Sequence, residues 1–307
     1  MSSTRKLWLG LAALLIASFG VLLWVGDQVH QYAPPLPQAV VTSGDETLFT
    51  GDDIELGKQV WQRIGGQQLG SIWGHGALLA PDWSADWLHR EGVAMLELLA
   101  RDQGAASYAD LDAPQQAALR SRVQRELRTN TWDPAKGTIR VSPLRAQAML
   151  VVGAHYMSLF SNDPATAKLR ETYAMRDNTI AELDQRRAVT AFFWWASWAT
   201  AAERPGSAIS YTQNWPHDTL AGNTPTAANF MWSVFSVLFL ILGIGLLGWH
   251  HARQVSHEPL PPIPARDPLT ELKPTPSMKA TAKYFWTVIG LFLVQILLGA
   301  TTAHYQV

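Results

Sequence analysis

His75, Asp82, Asp86 and His89 bring four metal-ligating side chains into one short stretch. Asp82, Asp86 and His89 follow an i, i+4, i+7 pattern that lines one helix face, and imidazole with carboxylate suits borderline divalent cations. The spacing matches no strong metal motif, so the preferred reading is a solvated polar face opposite Trp83 and Trp87. His155 follows the apolar run Met149-Leu-Val-Val-Gly-Ala and offers a haem ligand, with Met149 or Met157 as partner. A single His on an apolar helix is more often packed and hydrogen-bonded, and that is the expectation here. His250 and His251 are adjacent, and on a helix they point about 100° apart, which favours interfacial anchoring over shared metal binding. His30, His217 and His257 are expected in loops without partners. His304 differs from all of these. It ends a long apolar run, beside Tyr305 and one turn beyond Thr301 and Thr302. An imidazole at a lipid–water boundary can accept a proton from a lipid-soluble donor such as a quinol. Plain snorkelling to the interface is its competing role.

Composition removes several chemistries. The chain of 307 residues has no cysteine, which excludes disulfides, thiolate metal sites, iron–sulfur clusters, a thiol nucleophile and C-x-x-C-H haem attachment. No phosphate-binding glycine loop, dinucleotide fingerprint, nucleophile elbow or H-E-x-x-H is present. The net charge is -1, and no basic patch points to nucleic acid.

The elements that must position these residues begin with three apolar runs. Residues 7–25 carry no charge and reach roughly 28 Å as a helix, enough for a bilayer core. Arg5 and Lys6 precede the run, and Leu-Leu-Trp-Val-Gly-Asp closes it without a small-x-small cleavage site, so an uncleaved anchor is expected. Residues 230–249 form the second span, bracketed by Trp232 and Trp249. Residues 284–303 form the third, with Tyr284, Trp286 and Tyr305 near its ends. Gln295 inside this span is expected to face another helix. The N-terminal flank, residues 1–6, is basic, and the loop of residues 250–283 has a net charge of +2, whereas residues 26–229 sum to -5. Positive-inside then places both flanks in the cytoplasm and the middle segment outside, in a periplasm-like space. The third span runs outward, which puts residues 304–307 at its outer end.

Within residues 26–229, Tyr32-Ala-Pro-Pro-Leu-Pro predicts an extended spacer. Residues 40–50 are β-prone and helices follow. Asp52-Asp53-Ile-Glu suits a helix start, and Gly65-Gly66 a helix end. Gly70-Ser-Ile-Trp-Gly-His-Gly reads as a glycine-punctuated loop. Helices are expected over residues 82–103, with Glu91 near the Trp83–Trp87 face, over 112–129, where Asp112-Ala-Pro-Gln supplies the cap, and over 142–160 and 168–186. Residues 189–202, with Phe-Phe-Trp-Trp-Ala-Ser-Trp, are apolar but too short to span, so a buried or interfacial helix is expected. Residues 207–229 predict an irregular lead into the second span.

Three segments carry a family resemblance: Gly65-Gly-Gln-Gln-Leu-Gly-Ser-Ile-Trp-Gly-His-Gly-Ala-Leu-Leu-Ala-Pro-Asp-Trp-Ser-Ala-Asp-Trp-Leu-His-Arg-Glu91, Ser210-Tyr-Thr-Gln-Asn-Trp-Pro-His-Asp218, and Gln295-Ile-Leu-Leu-Gly-Ala-Thr-Thr-Ala-His-Tyr-Gln-Val307. Together they resemble the N-terminal region of the single-chain, quinol-dependent nitric oxide reductases of the haem–copper oxidase superfamily. The resemblance implies a mainly α membrane protein of the bacterial inner membrane. Three transmembrane helices would accompany a mostly helical extracytoplasmic domain of cytochrome c-like fold that lacks haem c. It also implies that His304 contributes to quinol binding, with a Glu one turn later falling just past Val307.

The family's haem b, haem b3 and non-haem iron are ligated on later helices, so this chain is expected to bind none of them and to hold no catalytic or metal residues of its own. Ending directly after a span, it is expected to be a truncated N-terminal part whose missing C-terminal helices complete the enzyme. Its other expected partners are membrane lipid, quinol and a second copy of itself. A non-catalytic docking subunit of a respiratory complex is the alternative reading, and a membrane-anchored sensor a weaker third.

Overall fold

The computed structural model describes residues 3–74, 79–257, 286–287 and 289–290. The chain forms two compact units, residues 1–230 and 231–307. In the first, α1 (Ser3–Gln31) is unbroken by proline, and its apolar stretch from Trp8 onward is long enough to cross a membrane. None of that stretch is covered by protein, and Trp8, Ile16 and Leu23 stand bare. The helix runs past the expected end at Val25, held by Gln31 donating to Asp27 across one turn. His30 therefore lies in its last turn and not in a loop. Pro34 ends the helix by excluding Ala33 from the α region. The proline spacer then packs along the domain, where Trp195 Nε1 donates to the Pro35 carbonyl at 2.9 Å.

A small sheet follows. β1 (Ala39–Thr42) pairs antiparallel with β2 (Thr47–Thr50), Val40 opposite Phe49. β3 (Trp132–Asp133) and β4 (Thr138–Val141) form a second hairpin, and β4 runs parallel to β1 with Val40 opposite Ile139. The order is β2-β1-β4-β3. Val40 and Ile139 are fully buried and seat the sheet on the core.

The helices are α2 (Gly51–Arg63), α3 (Trp83–Asp102), α4 (Ala113–Arg128), α5 (Pro143–Leu159), α6 (Ala167–Thr172) and α7 (Leu183–Ala201). Side chains cap the starts of α2, α3, α4 and α5. Thr50 and Asp53 form a reciprocal capping box on α2, and Asp112 and Gln115 form another on α4. α7 is the central element, with nearly every residue from Ala188 to Ala201 buried. α2 lies against it at Gly57, where an added Cβ would come 2.0 Å from the Ala188 carbonyl oxygen. Only glycine allows that approach.

The single helix expected over residues 168–186 is two helices. Between them Ala174 and Asn178 take left-handed backbone conformations. The chain folds back there, so that Asn178 N–H donates to the Ser161 carbonyl and Ile180 N–H to that of Phe160. Arg170, almost wholly buried, clamps the turn through Asp177 at 2.8 Å.

α8 (Ala227–His257) carries the second apolar stretch long enough to cross a membrane, residues 230–254. It extends beyond the expected 230–249 span and takes in His250, His251 and His257. His257 is thus helical, not a loop residue. The expected third span, with Gln295 and His304, lies outside the described residues apart from 286–287 and 289–290.

Candidate functional site: charged pairs around an aromatic interior

The glycine-punctuated loop before α3 builds one wall of the domain interior. Trp83 N–H donates to the Ser71 carbonyl, Trp61 Nε1 to the Gly70 carbonyl at 3.1 Å, and Trp73 Nε1 to the Ala196 carbonyl at 3.0 Å. A Cβ at Gly70 would collide with the Trp83 ring at 2.1 Å, so glycine there lets the backbone lie flat on the indole. Trp83 stacks on Phe193 at 5.5 Å and 13°, and Trp87 stacks on Tyr156 at 5.2 Å and 3°. Phe160 meets Trp83 and Phe193, and Trp194 is buried beside Phe49. Such offset and edge pairs add to the large apolar area that each ring buries.

Charged residues thread this interior. Glu91 is fully buried and Arg145 is 3% exposed, and Arg145 Nε donates to Glu91 Oε1 at 2.7 Å. Trp87 Nε1 donates to the other carboxylate oxygen at 3.2 Å, and the guanidinium carbon lies 5.7 Å from the Trp194 ring centre. Asp86 accepts from Arg90 Nε at 2.8 Å and from the Tyr156 hydroxyl at 2.6 Å. Burial, with the Asp86 charge next, pushes the Tyr156 hydroxyl well above the usual phenol range. Burial also lowers His155, helped by the Arg90 cation, so His155 resists protonation. Its ring meets Tyr156 edge-on at 5.2 Å.

At the other edge of α3, His89 Nδ1 lies 3.1 Å from Asp218 Oδ2. That hydrogen bond raises the His89 pKa against the opposing effect of burial. Burial alone would raise Asp218, but the bonds from His89 and from the Ala221 N–H hold it below the usual carboxylate range. The clasp fixes the segment that leads into α8. His217 is bonded too, through Nδ1 to the Asn223 carbonyl at 2.8 Å, where no partner was expected.

The residues considered as metal ligands diverge. Asp82 is the N-cap of α3. Its carboxylate accepts from Ala85 N–H at 2.9 Å and Ser71 Oγ at 2.8 Å, and also from Gly74 N–H and Ser84 Oγ. Asp86 serves Arg90 and Tyr156, and His89 serves Asp218. The expected solvated face is therefore a set of structural hydrogen bonds, with His89 the exposed member. His75 lies outside the described residues. Among the described residues no group of three or more His, Asp or Glu gathers to hold a metal. Met149, His155 and Met157 share one helix, so neither Met can reach an iron from the side opposite His155.

Sequence reading missed Arg145, Tyr156 and Asp218. The one signal was an Arg in the first turn of the otherwise apolar α5, facing a Glu already noted beside Trp87. His304, the one residue assigned to quinol, lies outside the described residues.

Residues 37–217 match the family model for the NorB cytochrome c-like domain of nitric oxide reductase. No curated protein matches the chain.

Proposed function

Because this chain belongs to the NorB family of nitric oxide reductase proteins through its cytochrome c-like domain, we propose that it is the N-terminal, electron-entry part of a membrane enzyme that oxidises quinol and reduces NO to N2O. The observation that carries the quinol reading is a c-like domain in a chain without cysteine. A c-type haem is held by thioether bonds to cysteine, and none can form here. The interior is also filled by Trp83, Trp87, Tyr156, Phe160, Phe193 and Trp194. The residues present do not suit a c-type haem, so electrons from a soluble cytochrome have no relay in this domain, and the donor is a lipid-soluble quinol.

The stoichiometry fits. One quinol yields two electrons and two protons, which is what two NO require to give N2O and water. In this scheme His304, at the outer end of the third span, hydrogen-bonds a quinol hydroxyl and takes its proton on the free imidazole nitrogen as the electrons leave. By the family resemblance, haem b, haem b3 and non-haem iron would supply the electron transfer and NO chemistry in the complete enzyme. The two apolar helices anchor the domain, and the charge asymmetry of their flanks supports a bacterial inner-membrane protein with the domain in the periplasm. Lipid, quinol, the catalytic helices and a second copy of the chain are the partners in this reading.

The test is His304→Ala in the enzyme complete with its haem-bearing helices. Quinol-driven NO reduction should fall by at least tenfold while the haem spectra stay unchanged. Unaltered quinol turnover would remove His304 from the mechanism.

A further inference from the structure

A strip of apolar and aromatic side chains runs over the domain from the end of α1. The apolar stretch of α1 closes at Gln31, and Tyr32 follows it directly. The Arg204 guanidinium lies over the Tyr32 ring, 4.9 Å from its centre. Leu36 comes next along the proline spacer, and Tyr32 and Leu36 are both 49% exposed. The Trp195 bond to the Pro35 carbonyl fixes this spacer to the domain. The Trp195 ring meets the Trp73 ring at 5.9 Å. Beside Trp73, a Cβ at Gly74 would collide with the Trp215 indole, so Trp215 rests against that backbone. Trp215 is 38% exposed, in the segment that leads into α8.

Chain length says what covers this strip. A bilayer core of about 30 Å needs about 20 helical residues, so a stretch of 24 residues ending at Gln31 brings Tyr32 to the headgroup layer. Leu36 then lies within about 14 Å of Tyr32 along the chain, the reach of four extended residues. Tyr and Trp, with an apolar body and one polar tip, are the side chains favoured at that depth. Arg204 adds a cation beside the span end, suited to lipid phosphate. Leu150 and Val151 on α5 are also bare, but α5 joins neither apolar stretch, and this chain of contacts does not include them.

We propose that the strip from Tyr32 and Leu36 to Trp215 seats the domain on the phospholipid surface, with Arg204 meeting the phosphate layer. The domain is then held to the bilayer by one of its own faces as well as by its helices. This rests on the reading of the two apolar helices as membrane anchors and is independent of the quinol donor. Emission from the domain is dominated by the enclosed Trp83, Trp87, Trp194 and Trp198, so a local probe must read the strip.

The chain has no cysteine, so one introduced thiol carries a unique nitroxide label. Leu36→Cys, Trp215→Cys, Leu150→Cys and Leu242→Cys are each made in the full chain, labelled, and reconstituted in vesicles of phosphatidylcholine with phosphatidylglycerol. Collision rates are measured with oxygen, which enters lipid, and with a water-soluble nickel chelate. The oxygen-to-nickel ratio at positions 36 and 215 should exceed that at 150 severalfold and fall below that at 242 in the span. An unchanged thermal midpoint checks the fold of Trp215→Cys, and Leu36→Cys, on the exposed spacer, carries the test by itself if that variant is unstable. A lipid-like ratio at 242 with water-like ratios at 36 and 215 would overturn the proposal and leave the helices as anchors. A water-like ratio at 242 would remove the membrane reading and the proposal with it. Labels at 36 and 215 that neither reagent reaches would show protein against the strip, and would overturn the proposal too.

Discussion

α7 and α8 are both dense in large apolar side chains, yet they meet opposite surroundings. In α7 the run from Ala188 to Ala201 is enclosed by protein, with Phe193, Trp194 and Trp198 at zero exposure. In α8 the apolar stretch is bare, with Leu247 71% and Phe239 70% exposed. Apolar character alone does not separate the two. The length of the uncharged run does, since in α7 it begins only after Asp184, Arg186 and Arg187 and is too short to cross a bilayer core, whereas in α8 it is long enough. α2, α3 and α5 cover α7, whereas no described residue covers the apolar stretch of α8, which is long enough to cross a membrane. The two environments can be disturbed separately.

The largest effect should come from inside the α7 environment. Glu91→Ala strands the Arg145 cation in the core and should destabilise the domain by about 3–5 kcal/mol, read from urea unfolding. Glu91→Leu combined with Arg145→Met should recover most of that loss, because an apolar pair avoids the desolvation cost. A double variant as unstable as the single one would mean that the pair does more than neutralise itself.

In α8, Leu242→Arg places a charge in the middle of the bare stretch. It should oppose membrane insertion by about 2.5–3.5 kcal/mol, seen as loss of the protein from carbonate-washed membranes. The tryptophan fluorescence of the domain should not change. If both signals moved together, the two environments would not be separable as described.

Gly57→Ala forces α2 away from the Ala188 carbonyl and should cost about 1–3 kcal/mol in domain stability, with membrane attachment unaffected. Unchanged stability would show that the α2–α7 approach can relax.

The smallest effect belongs to the clasp beside α3. The His89 pKa is raised in the folded protein, so its contribution is complete below the ordinary imidazole pKa and fades as pH climbs through the higher folded value. Asp218 is lowered, so its share is present above the ordinary carboxylate pKa and is lost as pH falls through the folded one. His89 is largely exposed, so solvent screening limits the gain to about 0.5 kcal/mol. Hydrogen exchange of the Ala221 N–H should accelerate as pH rises from mildly acidic through neutral, beyond the intrinsic trend. In His89→Ala that excess should vanish.

Local signals were the most legible part of this sequence. Asp112-Ala-Pro-Gln predicts a capped helix, and Asp112 and Gln115 form that cap. Pro34-Pro35 predicts a spacer, and the spacer is there. The β3–β4 hairpin escaped notice because strands of two and four residues are too short to show an alternating pattern. The break after Thr172 was hidden because no proline or glycine marks it; pairing with Phe160 and Ser161 sets it instead. Glu91 and Arg145 lie 54 residues apart, and Asp218 lies 129 from His89, so only the folded chain brings them together. His75 and His304 fall outside the described residues, and the quinol role of His304 rests on its sequence position and the family resemblance.

The identity of the electron donor is the central claim. The direct measurement is NO reduction in membranes that carry the enzyme complete with its haem-bearing helices, with a quinol or a reduced soluble cytochrome c as sole donor. Turnover with quinol and none with cytochrome c is the predicted result. Turnover driven by cytochrome c, or no turnover with quinol, would contradict it.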